Sequence, residues 1–375
     1  MSTPAPSLPV PDASQGRVSV TGRNLPAFAL VAVALISLPL EQRSAGPGDT
    51  LGDVLTVGGV AAVGAVASLV YGAVERDAAR AERVRLAAWV VIRFFLAFEL
   101  TRYGMAKLVG MQFYPRYYQF DSRVADLKPM HLAWSFFGHG YGYQAISGAM
   151  EVVGAVLLCF RRTTTLGACV LFAVMTNVVL VNVYYDVPVK LFSSTYLVMS
   201  LYLLGLEWRR FWAFFITDGP VARRVYLAPP ARARSKRLEV ARAAAVVLVL
   251  VVPACSVLRE ASQHRIFTEE ALVGAWSVDR RSGLDDVVLV GETSSPWDKV
   301  YFEKGDYGFI RVGTQRVRFD MKVDEPAGKV SLTMFGGRES PALEGTFERH
   351  ERALHIEGTR AGRPFLLDLT RDLPR

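Results

Sequence analysis

Residues 86–108 read LAAWVVIRFFLAFELTRYGMAKL. The stretch is apolar enough and long enough to cross a hydrocarbon core of ~30 Å, which takes ~20 residues of helix. Yet it carries Arg93, Glu99, Arg102 and Lys107. Ionisable groups inside a spanning helix cost free energy unless they are paired or face a watered cavity. They therefore mark either a functional site or a pair that fixes helix register.

Six further apolar runs flank this one, at 25–40, 51–73, 145–160, 166–185, 191–207 and 239–257. The first is interrupted by Pro26 and Pro39. The chain has 375 residues, 51% of them hydrophobic. The expected fold is an α-helical polytopic membrane bundle of about seven transmembrane helices. From about residue 268 the period changes from helical to two. Val317, Phe319, Met321 and Val323 alternate with charged residues, as do Val330, Leu332 and Met334, and Phe365, Leu367 and Leu369. Such runs, separated by Gly, Asp and Pro, predict antiparallel strands with one buried face, about seven or eight of them within 272–371. A closed barrel or a sandwich follows, because closure removes exposed edges.

Charge sets the expected topology. Residues 1–257 hold 25 Lys/Arg against 15 Asp/Glu, and residues 258–375 hold 18 against 20. In the apolar half, one set of alternating loops has 16 basic residues and the other set has five. The positive-inside rule accounts for this asymmetry without a nucleic-acid partner. It puts the N-terminus in the cytoplasm and the C-terminal β domain outside a bacterial cytoplasmic (inner) membrane. The expected domains are a disordered leader (1–23), two helices with a charged connector (24–85), a four-helix membrane domain (86–207), a basic cytoplasmic linker (208–238), a seventh span (239–257) and the β domain (258–375). The expected partners are the bilayer, a small lipophilic ligand and a membrane partner subunit.

Depth counting groups the polar residues. At ~100° per residue, Glu99, Arg102, Tyr103 and Lys107 fall within an arc of about 140°. Arg93 lies off that arc and reads as structural. With a rise of ~1.5 Å per residue, Arg102 sits roughly 9 Å and Glu99 roughly 13 Å below the outer end of the helix. Glu151 lies at roughly 9 Å in the next span, and Asn177 and Asn182 at about 12 and 4–5 Å in the one after. Lys190 stands at the outer mouth. The pattern predicts an outward-facing polar site of Glu99, Arg102, Tyr103, Lys107, Glu151, Asn177, Asn182 and Lys190. Within it, Arg102 and Glu151 are the expected ion pair and Asn177 a hydrogen-bond partner. Glu99, Arg102 and Glu151 are the candidates for catalysis.

Cys159, Cys169 and Cys255 all lie in apolar spans with no CxxC, which argues against a thiol relay. His131 and His139 do not have metal-ligand spacing, and no metal is expected. His355 alternates with apolar neighbours and reads as solvent-facing. Nucleotide, hydrolase and zinc-protease motifs are absent.

Three stretches within 86–207 carry a family resemblance: RFFLAFELTRYGMAKLVGMQF (93–113), GAMEVVGAVLLCFRRTTTLGACVL (148–171) and NVVLVNVYYDVPVKLFSS (177–194). Tyr103, Gly104, Ala106 and Lys107, then Gly148 and Glu151, then Arg161, Arg162 and Thr163, then Lys190, resemble the recurring elements of the DoxX-like four-helix membrane proteins. The resemblance implies an accessory membrane subunit, and for some relatives a quinone-linked oxidoreductase component with quinone as cofactor. Gly274-x-Trp276 is similar to the opening of lipocalin-type barrels. Three functions follow as expectations. The first is binding of a small or lipophilic molecule in an accessory role. The second is quinone-linked redox chemistry, with a glutamate relaying protons and Arg102 stabilising an oxyanion. The third is transport, weakened by the lack of an inverted repeat. Redox chemistry needs a cofactor, and no cofactor motif is evident.

Overall fold

The computed structural model describes residues 24–37, 40, 49–114, 116–220, 236–263, 271–284, 289–290, 293–294, 297–313, 315–334 and 342–372. The leader, Pro39, Arg43, residues 221–235 of the basic linker and His264 lie outside the described residues. The chain divides into two compact units, Met1–Gln112 with Gly142–Val257, and Phe113–Tyr141 with Leu258–Arg375.

The first unit is helical. Its elements are α1 (Asn24–Ser37), α2 (Leu51–Val74), α3 (Ala78–Leu108), and, after an excursion holding α4 (Tyr117–Phe120) and α5 (Pro129–His139), α6 (Tyr141–Cys159), α7 (Thr164–Tyr184), α8 (Lys190–Gly205), α9 (Trp208–Phe215) and α10 (Lys236–Gln263). Among the described residues, four helices are long and apolar enough to cross a membrane: α2, α6, α7 and the Glu239–Gln263 part of α10. The 31 residues of α3 span about 46 Å, and the 16 of α8 about 24 Å. Helix α3 starts at Asp77, whose carboxylate accepts from Ala79 N at 2.9 Å. Its apolar residues Ile92, Leu96 and Leu100 pack with Leu158 of α6, Leu171 of α7 and Met199 of α8 in one buried cluster.

Backbones approach closely where glycine permits it. A methyl group on Gly104 would lie 2.7 Å from Gly148 O, and one on Gly148 2.5 Å from Gly104 O. Helices α3 and α6 therefore cross at bare backbone, as small residues allow between membrane helices.

The second unit is the C-terminal barrel with the 113–141 excursion. The strands are β1 (Gly274–Ser282), β2 (Leu289–Val290), β3 (Thr293–Ser294), β4 (Lys299–Glu303), β5 (Tyr307–Val312), β6 (Gln315–Asp324), β7 (Lys329–Met334), β8 (Leu343–His350), β9 (Ala353–Arg360) and β10 (Arg363–Arg371). Eight close a barrel in the order β1-β10-β9-β8-β7-β6-β5-β4, and β2 pairs with β3 as a separate ribbon. All barrel pairs are antiparallel. Of the two architectures the sequence allows, the barrel is the one formed. Trp276, Phe302, Phe319, Leu332, Ile356 and Leu367 belong to its packed core. Trp276 is fully buried, donates Nε1–H to Leu272 O at 2.8 Å, and has the Arg371 guanidinium 5.9 Å over its ring. The alternation read from the sequence is the alternation of this inward face.

Strand β4 departs from it, because four of its five residues are buried. Val300 and Phe302 face the core. Tyr301 packs outside, in a cluster with Tyr117, Tyr118, Val273 and Ala275, with Phe309 against it. Helix α4 thus covers the outer wall of the barrel at β1, β4 and β5.

Candidate functional site

The structure splits the expected polar site into three places. In the first, Glu99 is fully buried and accepts from Arg102 one turn later on α3, from Nη2 at 2.9 Å and from Nε at 3.3 Å. The Arg102 guanidinium lies 4.6 Å over the Tyr103 ring, which is 6.2 Å from the ring of Tyr196 on α8. The Arg102 side chain keeps 30% of its surface accessible. The Glu99 carboxylate and the Tyr103 ring orient a cation that stays partly accessible.

The second place corrects the expected Arg102–Glu151 pair. Glu151 is held by Lys107, whose Nζ donates to Oε1 and Oε2 at 2.7 and 2.8 Å, and both side chains are almost fully buried. The glycine crossing is the cause. An added methyl on Gly148 would lie 2.8 Å from Lys107 Cβ and one on Gly104 3.1 Å from Glu151 Cβ, so each charged side chain leaves its helix opposite the other helix's glycine and the two meet across the crossing. Arg102 is taken by Glu99 on its own helix instead. A buried pair of this kind is expensive to break, at about 3–5 kcal/mol when one partner is removed.

The third place is the α7–α8 end. Asn182 is buried and donates Nδ2 to Ser193 Oγ at 3.0 Å. Lys190 Nζ reaches Asp186 at 2.7 Å and Asp49 at 3.8 Å. Asp49 caps α8, because its carboxylate accepts from Lys190 N at 2.7 Å and Leu191 N at 2.9 Å. Asn177 does not join any of these groups. It lies on an exposed face of α7, and no described residue hydrogen-bonds to its side chain. The helical rotation between 177 and 182 turns it away.

Arg93 is structural in its contacts. Its guanidinium lies 4.5 Å over Trp89 and 4.8 Å over Phe94, and Nη1 donates to Thr164 Oγ1 at 3.4 Å. Gln144 was not legible as polar core. It is buried one turn before Gly148, and its Nε2 has no hydrogen-bond partner among the described residues. The signal was its register with Gly148 and Glu151 on one face of α6.

A different polar cluster joins the 113–141 excursion to the barrel. Asp121 Oδ2 accepts from Tyr301 Oη at 2.5 Å, Lys299 Nζ at 2.9 Å and Arg311 Nη1 at 3.0 Å. Ser122 Oγ accepts from Arg316 Nη2 at 2.6 Å, and Glu303 accepts from Tyr118 N at 3.2 Å. Burial alone would raise the Asp121 carboxyl. The hydrogen bonds from Tyr301 and Lys299 and the charges of Lys299 and Arg311 outweigh it and hold Asp121 below its usual value. Burial and the bond to Asp121 push Tyr301 well up. His131 sits edge-on to Tyr118 and is pushed down by burial, then by Arg116 and Lys128. His355 is on the outer face of β9, bonded through Nδ1 to Asp368 at 2.5 Å. A cleft of about 760 Å³ borders β6–β10, crossed by the row Val323, Val330, Gly345, Gly358 and Phe365.

Helices fit to span a bilayer, ion pairs buried among them, and a closed barrel in the same chain define a membrane protein with an appended β-barrel domain. The uncharacterized protein YwoB of Bacillus subtilis (strain 168) is 34% identical over 142 residues, which are 38% of this chain and 91% of that protein. The chain belongs to the family of that protein. No family model matches it. No solved structure matches it.

Proposed function

We propose that the protein is a seven-span protein of the bacterial cytoplasmic membrane that binds a small or lipophilic molecule at the outward polar site of its bundle, in an accessory role. The observation that carries this reading is the Arg102 cation. It is built into a spanning helix, oriented by the buried Glu99 and the Tyr103 ring, and left partly accessible. A partly accessible, pre-oriented guanidinium at that depth suits a carbonyl, phenolate or acidic headgroup on an otherwise apolar ligand. The DoxX-like motifs of 86–207 support the same reading. They also keep a quinone-linked oxidoreductase component as the second function, for which Arg102 is the group that would meet a quinone oxygen. Glu151 is less suited to a proton relay, since Lys107 occupies both of its oxygens.

Contact parity supports α3 and α8 as spans beside α2, α6, α7 and α10, and α1 would make the seventh. Asp49, before α2, caps the start of α8, so the number of crossings between them is even. Helices α2, α6 and α7 make three, and α3 supplies the fourth. The 113–141 excursion and the barrel share one unit, so the crossings between them are also even. Helices α6, α7 and α10 make three, and α8 supplies the fourth. Arg161 is pushed down by burial and then by Arg242, which fits the α6–α7 turn and the start of α10 on one face. The basic loops suggest that this face is cytoplasmic and the barrel extracytoplasmic.

The test is mass spectrometry of extracts from the detergent-purified chain. A lipophilic species enriched over bulk lipid in wild type and lost in Arg102→Gln is the expected result. Extracts matching bulk lipid in both would sink the binding role. A bound quinone, with turnover lost in Arg102→Gln, would select the redox reading.

A further inference from the structure

The linker after α8 opens with a helix whose surface differs from those of α2 and α10. In α9 (WRRFWAFF), Trp208, Trp212, Phe214 and Phe215 are 60%, 47%, 63% and 68% exposed, and Ile216 follows at 62%. At ~100° per residue, Trp208, Phe211, Trp212, Phe215 and Ile216 share one face, Arg209, Ala213 and Arg210 form the other, and Phe214 lies at the boundary between Arg210 and Phe211. The rings contact one another, Trp208 tilted against Trp212 at 5.6 Å and Phe211 stacked on Phe215 at 5.6 Å. By contrast, the exposed faces of α2 and α10 are aliphatic, with Leu55, Val63 and Val66 on one and Val247, Leu248 and Val251 on the other. Aliphatic faces suit acyl chains. Indole rings and arginines suit the headgroup boundary, where the ring is half-buried and the guanidinium meets phosphate.

We propose that α9 lies flat in the bilayer interface and that Arg209 and Arg210 engage the phosphates of anionic lipid headgroups. Charge complementarity selects the lipid. Residues 208–237 contain eight Lys/Arg and one acidic residue, Asp218. Continuity sets the depth. Helix α8 ends at Gly205, and only Leu206 and Glu207 precede α9, so the span delivers α9 to the membrane surface. Glu207 is buried and accepts from Arg210 Nη1 at 2.8 Å, which fixes the turn between the two helices. Arg209 is exposed. A short amphipathic helix of this kind binds by its apolar area together with attraction to anionic lipid. The inference rests on the membrane reading of the bundle and not on any ligand inside it.

The experiment uses the full chain in nanodiscs of phosphatidylcholine, with or without phosphatidylglycerol, some with acyl chains brominated near the carbonyl. Wild type should lose tryptophan fluorescence to the brominated lipid, and Trp208→Phe/Trp212→Phe should lose markedly less, because of the other four tryptophans Trp89, Trp276 and Trp297 are buried and Trp134 is half-buried against Phe113. Phosphatidylglycerol should raise the melting temperature of wild type, and Arg209→Gln/Arg210→Gln should lose most of that gain. Equal quenching in wild type and the tryptophan variant overturns the proposal. So does a phosphatidylglycerol gain that survives in the arginine variant, or disulfide formation between Phe214→Cys helices of two copies. Resistance of the wild-type chain to carbonate extraction tests the membrane reading separately.

Discussion

The Asp121 carboxylate accepts a 2.5 Å hydrogen bond from Tyr301, 180 positions further along the chain. Lys299 and Arg311 point at the same oxygen, so one acid in the 113–141 excursion neutralises part of a basic strip on the barrel wall. Lys299 also bonds Asp372 near the end of β10. The joint is electrostatic at its rim and aromatic at its centre.

Acid should open this joint. Asp121 is held below its usual value of 3.8. A depressed carboxylate contributes stability above its unfolded pKa, and that contribution is lost as pH falls through the folded pKa. Limited proteolysis of 113–141 should therefore be slow near neutrality and accelerate below about pH 4. Asp121→Asn should be cleaved readily at neutral pH, with a flatter acid profile. A wild-type rate that does not change with acid would contradict this account.

Lys107 and Glu151 should behave as a unit. Glu151→Gln removes the carboxylate that neutralises a buried ammonium, at a cost of about 3–5 kcal/mol. Lys107→Met/Glu151→Met should recover most of that loss, since two apolar side chains of similar length need no counter-charge. Thermal melts in detergent would measure both. A double variant as unstable as the single one would mean that the pair has a role beyond charge balance.

The glycine crossing makes a sharper demand. Gly148→Ala places a methyl group 2.5 Å from Gly104 O, and overpacking of this sort costs about 1–3 kcal/mol. Gly59→Ala is the control, because nothing lies within 4 Å of its added methyl. It should be neutral or stabilising by about 0.5–1 kcal/mol. Equal melting of the two variants would rule out a tight α3–α6 crossing.

His355 should titrate above its usual 6.5. The hydrogen bond to Asp368 raises it more than burial lowers it, with Glu357 adding to the rise. A raised imidazole contributes stability that is complete below the unfolded pKa and lost as pH rises through the folded value. The imidazole resonances should show a midpoint above 6.5 in wild type, returning toward 6.5 in Asp368→Asn. An unshifted wild-type midpoint would remove this contact from the account.

Much of the fold was legible because it rests on periodicity. The apolar runs are helices, and the alternation of Val317, Phe319 and Met321 is the inward face of β6. What periodicity does not encode is which face finds a partner. Lys-Val-Tyr-Phe-Glu at 299–303 reads as a half-buried strand, and only the distant Tyr117 and Tyr118 explain why Tyr301 is buried. The polar residues of α3 were legible by depth, but their pairing was not. Depth places Arg102 level with Glu151, whereas the approach of Gly104 to Gly148 gives Glu151 to Lys107. Asn177 was misplaced for a related reason, since depth along a helix says nothing about rotation around it.

The cover on the barrel wall also imposes an order of events. Tyr117 and Tyr118 leave the ribosome well before β1, so the lid exists before the surface it will cover. While the intervening helices are being made, those aromatic rings have no barrel to pack against. Once the strands close, Tyr301 and Phe309 pack against that earlier segment. The barrel therefore finishes folding against an earlier piece of the chain, and a chain that stalls in between exposes an apolar strip to whatever protein-quality machinery shares its compartment.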